Sequence, residues 1–132
     1  MDLNGIIIAV DFDSTIAHYS GWKGTGVFGD PIQGVQWALG RFRDMGAMII
    51  VHTCRSETKL VNAYLKEHAI PFDYVNYSPR NRELKLSWKK IAADIYIDDK
   101  GLNFSGSWPE TYKDAVNFVP WGKRYEDKAI RS

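Results

Sequence analysis

The 132 residues carry 17 Lys and Arg against 16 Asp and Glu, a formal net charge of +1, with 45% hydrophobic and 25% charged residues. That length holds one domain with a real core and no separate second domain, and the near-neutral charge gives no general electrostatic case for DNA, RNA or an anionic membrane. Cys54 is the single cysteine, which excludes an intrachain disulfide or a cysteine cluster for zinc or iron–sulfur; no apolar run reaches transmembrane length and Asp2 with Asn4 make a poor signal-peptide start, so we expect a soluble cytoplasmic protein without membrane partners.

The first predicted element runs from Ile6 to Val10. Ile6, Ile7, Ile8 and Val10 with Ala9 among them read as a strand buried on both faces, as in a parallel sheet. It ends in Asp11-Phe12-Asp13, and the carboxyl end of such a strand is where open α/β sheets place their ligands. Extended period-2 geometry puts Asp11 and Asp13 on one side, close enough to share a divalent cation; the same residues can also serve as a capped turn. Residues 17 to 29, with four glycines around Trp22, Val27 and Phe28, read as a loop or small hairpin flap. They are no phosphate loop, because the Gly-Lys-Ser/Thr ending is missing.

Asp30-Pro31 predicts a helix start, Ile32, Val35, Leu39 and Phe42 its apolar face, and Gly46 its end. Ala47 to Val51 is a second buried strand with the polar exit His52-Thr53-Cys54-Arg55-Ser56. Ser56 is a candidate cap for a helix from Glu57 to about His68, and Phe72 to Asn76 can form a short third strand. This βαβαβ pattern predicts right-handed crossovers and a parallel sheet. Tyr77 to Lys90 is polar and basic and reads as a loop with one or two irregular helical turns. Ala92 to Ile97 is the last predicted strand, ending in Asp98-Asp99; Ser107 can cap a helix from Pro109 to Phe118, and Gly122 to Ser132 is a charged tail that either frays or forms a short helix.

If these strands are parallel neighbours, Asp11, Asp13, Thr53, Asp98 and Asp99 converge. Clustered carboxylates repel, and an all-oxygen set favours magnesium over zinc. With these motifs the chain resembles the haloacid dehalogenase superfamily of phosphohydrolases: Asp11-Phe12-Asp13-Ser14-Thr15 matches the first motif, Thr53 after Met48-Ile49-Ile50-Val51 the second, Lys90 the third, with Lys89 and Lys85 as weaker candidates, and Asp98-Asp99 the fourth. The match spans Ile6 to at least Asn103, and Ser14 stands where the commonest form has glycine.

The resemblance implies a three-layer Rossmann-like α/β fold with a mostly parallel central sheet, in which residues 1–132 form one catalytic domain without a cap. It implies an Mg²⁺-dependent phosphomonoester hydrolase in which Asp11 attacks phosphorus and Asp13 protonates the leaving group, then activates water. Thr53 and Lys90 would bind and neutralise the phosphoryl group. Asp11, Asp13, Asp98 and Asp99 would hold Mg²⁺, Asp99 directly or through water and Asp13 through its backbone carbonyl. Without a cap, the cleft can admit a nucleotide, a nucleic-acid end, a sugar phosphate or a phosphoprotein, or a partner subunit of a homo-oligomer can close it. Two other classes stay open: a binding or scaffold protein of this fold with little turnover, and a receiver-type phosphoacceptor domain, which fits poorly because its middle strand would end in Thr53. Cys54 is a small shelf or core residue rather than a nucleophile; His18, His52 and Arg55 are candidate substrate contacts; Arg80 and Arg82 can meet a second phosphate or simply be solvated; Trp22 can stack on a base or pin the flap.

Overall fold

The computed structural model describes residues 2–122. Four strands, β1 (Ile7–Asp11), β2 (Met48–His52), β3 (Tyr74–Val75) and β4 (Ile95–Ile97), form one all-parallel sheet in the order β3-β2-β1-β4. The apolar run of β1 is paired on both edges, by β2 and β4, and both of its faces are buried by chain packed above and below the sheet: Ile8 and Val10 on one side, Ile7 and Ala9 on the other.

Helices α1 (Val35–Asp44) and α2 (Thr58–Glu67) each connect a strand to its neighbour while stepping the same way across the sheet, so right-handed crossovers put both on one face. There Val35, Leu39, Val61, Tyr64 and Leu65 meet Ile8, Val10, Ile49 and Val51 around the fully buried Phe12. The connection from β3 to β4 steps back across the sheet, and with it α3 (Pro79–Glu83) belongs to the opposite face. Helix α4 (Trp108–Val116) follows β4. This is a small Rossmann-like α/β fold.

Several boundaries differ from the sequence pattern for tertiary reasons. Asp30-Pro31 does not start α1: the Asp30 carbonyl accepts from His18 N–H and Ile32 N–H donates to the Ile16 carbonyl, so this stretch lies along the flap and the helix begins after Gly34, at φ 91°. Ser56 does not cap α2, which starts one residue beyond Glu57. The fourth strand is shorter than its apolar run, since Ala92 N–H is taken by the Asn81 side chain. Ser107 does cap α4, its hydroxyl accepting from Glu110 N–H at 3.4 Å, and Gly46 does end α1, at φ 101° with Asn4 where a Cβ would stand. The predicted tail, beyond Gly122, lies outside the described residues.

Candidate active site at the carboxyl ends of the strands

Asp11 is the last residue of β1, Thr53 follows β2, and Asp98-Asp99 follow β4, which flanks β1 on the other side. Parallel register therefore gathers at one sheet edge groups up to 88 positions apart in sequence, and carboxylate oxygens of Asp11, Asp98 and Asp99 all lie within 4.8 Å of one another. Asp99 Oδ1 is buried with no N–H or hydroxyl donor on it among the described residues, and Asp98 Oδ1 accepts from Lys100 N–H at 2.7 Å. Burial pushes the Asp11 carboxyl up to about 7, helped by the Asp99 carboxyl beside it and by the charge of Asp98, and opposed by the Phe12 N–H. A crowded, all-oxygen set with one orphaned oxygen has the donor chemistry of a hard divalent cation such as Mg²⁺.

The carboxylate of Asp13 lies outside this group. Extended geometry stops at Asp11: the Phe12 carbonyl accepts from Thr15, Ile16 and Ala17 N–H, a turn that carries Asp13 away from the strand direction. Instead Arg55 grips Asp13 with two bonds, Nε at 2.8 Å and Nη2 at 3.0 Å, and reaches Glu57 through Nη1 at 2.9 Å. The guanidinium is buried under the flap, 4.8 Å from the Phe28 ring centre and 5.1 Å from that of Trp22. Arg55 thus contacts Asp13 rather than open cleft, and Trp22 pins the flap to the body. The sequence pattern placed Arg55 near the site but carried no sign of this pairing, which links residues 42 positions apart.

Thr53 is fixed by its neighbours. Asn76 completes the strand ladder beyond β2 and β3, accepting from Thr53 N–H at 2.8 Å and donating to the Thr53 carbonyl at 2.9 Å, while Thr53 Oγ1 accepts from Arg55 N–H at 3.0 Å. As a hydroxyl, that oxygen also has a proton it can donate. Lys90 faces the same cleft as Thr53 and Asp98, with its Nζ 4.7 Å from the Tyr96 ring centre rather than on a carboxylate. That cleft, about 940 Å³, is also lined by His52, Cys54, Trp88, Lys89, Ile95 and Leu102. Burial lowers the His52 pKa, partly offset by Asp98, and its Nε2 is buried without a partner among the described residues. Cys54 is exposed on the cleft floor. Arg80 is committed to Asp94 at 2.8 and 3.0 Å.

No family model and no curated protein matches the chain. A solved structure, described as that of a conserved protein from Bacteroides thetaiotaomicron, superposes with a TM-score of 0.60 at 23% identity, covering 92% of this chain and 98% of that one. At that identity the likeness speaks for the shared α/β fold.

Proposed function

We propose that the chain is an Mg²⁺-dependent phosphomonoesterase of the haloacid dehalogenase type. The observation that carries this reading is the convergence of Asp11, Asp98 and Asp99 from two neighbouring parallel strands. Asp11, Asp98 and Asp99 would hold the ion, which when bound supplies charge neutralisation of the phosphoryl oxygens. Asp11 would attack phosphorus, and the Thr53 hydroxyl, held by Asn76 and the Arg55 N–H, would donate to a phosphoryl oxygen. Lys90 would leave the Tyr96 ring to meet the phosphate. Asp13 would pass a proton to the leaving oxygen and later take one from water, in an orientation set by Arg55.

The grip of Arg55 on Asp13 is also the observation that favours a second reading, a phosphate-binding protein with little turnover. One experiment separates them. With Mg²⁺ and p-nitrophenyl phosphate, the wild type turns over and Asp11→Asn does not. Asp13→Asn gives a burst no larger than one product per chain, followed by slowing of about 10²–10⁴-fold, because the phenolate leaves without a proton while dephosphorylation lacks its base. Intact mass after acid quench then shows a phosphorylated Asp13→Asn chain. Near-wild-type turnover by a folded Asp11→Asn would eliminate the covalent mechanism, and absence of turnover in the wild type across phosphomonoesters would leave the binding reading.

A further inference from the structure

We infer that Asn81 is a positioning residue that holds Lys90 at the cleft where a phosphoryl group would bind; the inference rests on the phosphomonoesterase reading of that site. Between the end of α3 and the start of β4, residues 84–94 form neither helix nor strand. Such a segment has no ladder of its own to satisfy its peptide groups or to fix where its side chains stand. It nevertheless has to bring a lysine to the cleft shared with Thr53 and Asp98, which belong to two other strand ends.

The Asn81 side chain replaces the missing ladder. Asn81 is 1% exposed, and Nδ2 donates to the carbonyls of Ser87 and Lys90 at 2.9 Å each, while Oδ1 accepts from Ala92 N–H at 2.8 Å. Its own carbonyl accepts from Leu86 N–H at 2.8 Å, and the hydroxyl of Ser78, also buried, donates to the Ala92 carbonyl at 3.0 Å. The backbone of Lys90 is thus held through its own carbonyl and on both sides of it. A primary amide is the group that fits: a carboxylate has no proton for the two carbonyls, and an apolar side chain leaves all three peptide groups without their partner.

The far end of Lys90 is guided by the same segment. The Tyr96 hydroxyl donates to the Ile91 carbonyl and accepts from Ala93 N–H at 3.2 Å, and the ring it belongs to has Lys90 Nζ 4.7 Å from its centre. A lysine anchored at its backbone and resting on a ring gives up less freedom on meeting a phosphate than one on a free loop does. Lys89 lines the cleft as well, but the Asn81 bond and the Tyr96 ring both fall to Lys90. If Asn81 served stability alone, its removal would cost the same whichever lysine is present; a positioning Asn81 acts through Lys90.

The test is a double-mutant cycle on the full chain with Mg²⁺, read as kcat/KM for p-nitrophenyl phosphate and as Kd for inorganic phosphate, on variants whose far-UV circular dichroism matches wild type. The phosphate arm reads the cycle without turnover. Asn81→Ser is expected to worsen both readouts, kcat/KM by about 10–100-fold, and Lys90→Ala to lower kcat/KM by about 10²–10³-fold. The double variant then matches Lys90→Ala within about 2-fold, whereas in a Lys89→Ala background the Asn81→Ser loss persists in full. Should Asn81→Ser not fold, Ser78→Ala, which gives up the single bond to the Ala92 carbonyl, shows a smaller loss that likewise disappears with Lys90→Ala. Losses that add independently of Lys90, losses that vanish with Lys89→Ala instead, or a folded Asn81→Ser with wild-type kcat/KM and phosphate affinity overturn the inference and leave the phosphatase reading standing. A wild type that neither turns over nor binds phosphate overturns both.

Discussion

Arg55 is 8% exposed yet carries a full charge, and that is tolerable because its surroundings answer it: Asp13 accepts two of its guanidinium hydrogen bonds, Glu57 a third and the Val27 carbonyl a fourth, and Tyr19, Trp22 and Phe28 lie against the group. Arg55→Met therefore leaves two carboxylates facing each other with the cation gone, and we expect a loss of about 3 kcal/mol in urea denaturation at neutral pH. Arg55→Lys should recover less than half of it, because an ammonium cannot span Asp13 in two-pronged fashion and reach Glu57 as well. Equal stability of Arg55→Met and wild type would show that the grip is incidental. Ser14 is the other residue whose oddity has a local cause. It sits at φ 63°, the left-handed region where glycine is at ease, so a serine at this position is held in a strained turn. Ser14→Gly is expected to raise the midpoint of thermal unfolding, by up to about 1 kcal/mol in stability, and a lower midpoint would mean that the hydroxyl contributes more than the strain removes.

At the scale of elements, one device recurs. Asp73 stands just before β3 and accepts from Ile49 N–H of β2 at 2.8 Å while paired to Arg43; Asp94 stands just before β4 and accepts from Ile7 N–H of β1 at 2.8 Å while paired to Arg80. Each carboxylate satisfies an orphan donor at the amino end of a neighbouring strand and so fixes the parallel register. Arg80, and next the Ile7 N–H, hold the Asp94 carboxyl below its ordinary value of 3.8. Its contribution is present above that value and lost as pH falls through the lower folded one. Asp94→Asn keeps an acceptor for Ile7 but not the charge, so it should be less stable than wild type at neutral pH, with the gap closing in acid; a gap constant from about pH 7 to pH 2 would contradict this. The sequence displayed β1 and β2 because doubly buried strands are continuous apolar runs, and α2 because Val61, Tyr64 and Leu65 keep helical spacing. It concealed the start of β4 and the start of α1, where the Asn81 side chain and the flap take backbone groups that local pattern assigns to the element itself. The same limit held at the site: strand ends announced Asp11, Thr53, Asp98 and Asp99, while the turn at Phe12 and the reach of Arg55 to Asp13 exist only in three dimensions.

For the molecule as a whole, the candidate site is a load on the fold. Asp11, Asp98 and Asp99 meet at the join of β1 and β4, where the sheet is held on one side by a strand of 3 residues. Without a cation their mutual repulsion works against that join; with one it becomes attraction across it. Asp98→Asn keeps the acceptor for Lys100 N–H and removes one charge, so in excess chelator it should unfold at a higher temperature than wild type, by roughly 1 kcal/mol in stability. Adding Mg²⁺ should reverse the order. At a concentration about 100 times its Kd, the ion stabilises the wild type by about 2.7 kcal/mol, and the variant, lacking one of three carboxylates, gains much less. Thermal unfolding of both proteins in chelator and across a Mg²⁺ series, with Ca²⁺ as a second series to separate ion size from charge, reads this crossing directly. Parallel responses of the two proteins to Mg²⁺ would remove Asp98 from the ion's ligands, and a variant less stable than wild type in chelator would mean that the three carboxylates are not in repulsion at all.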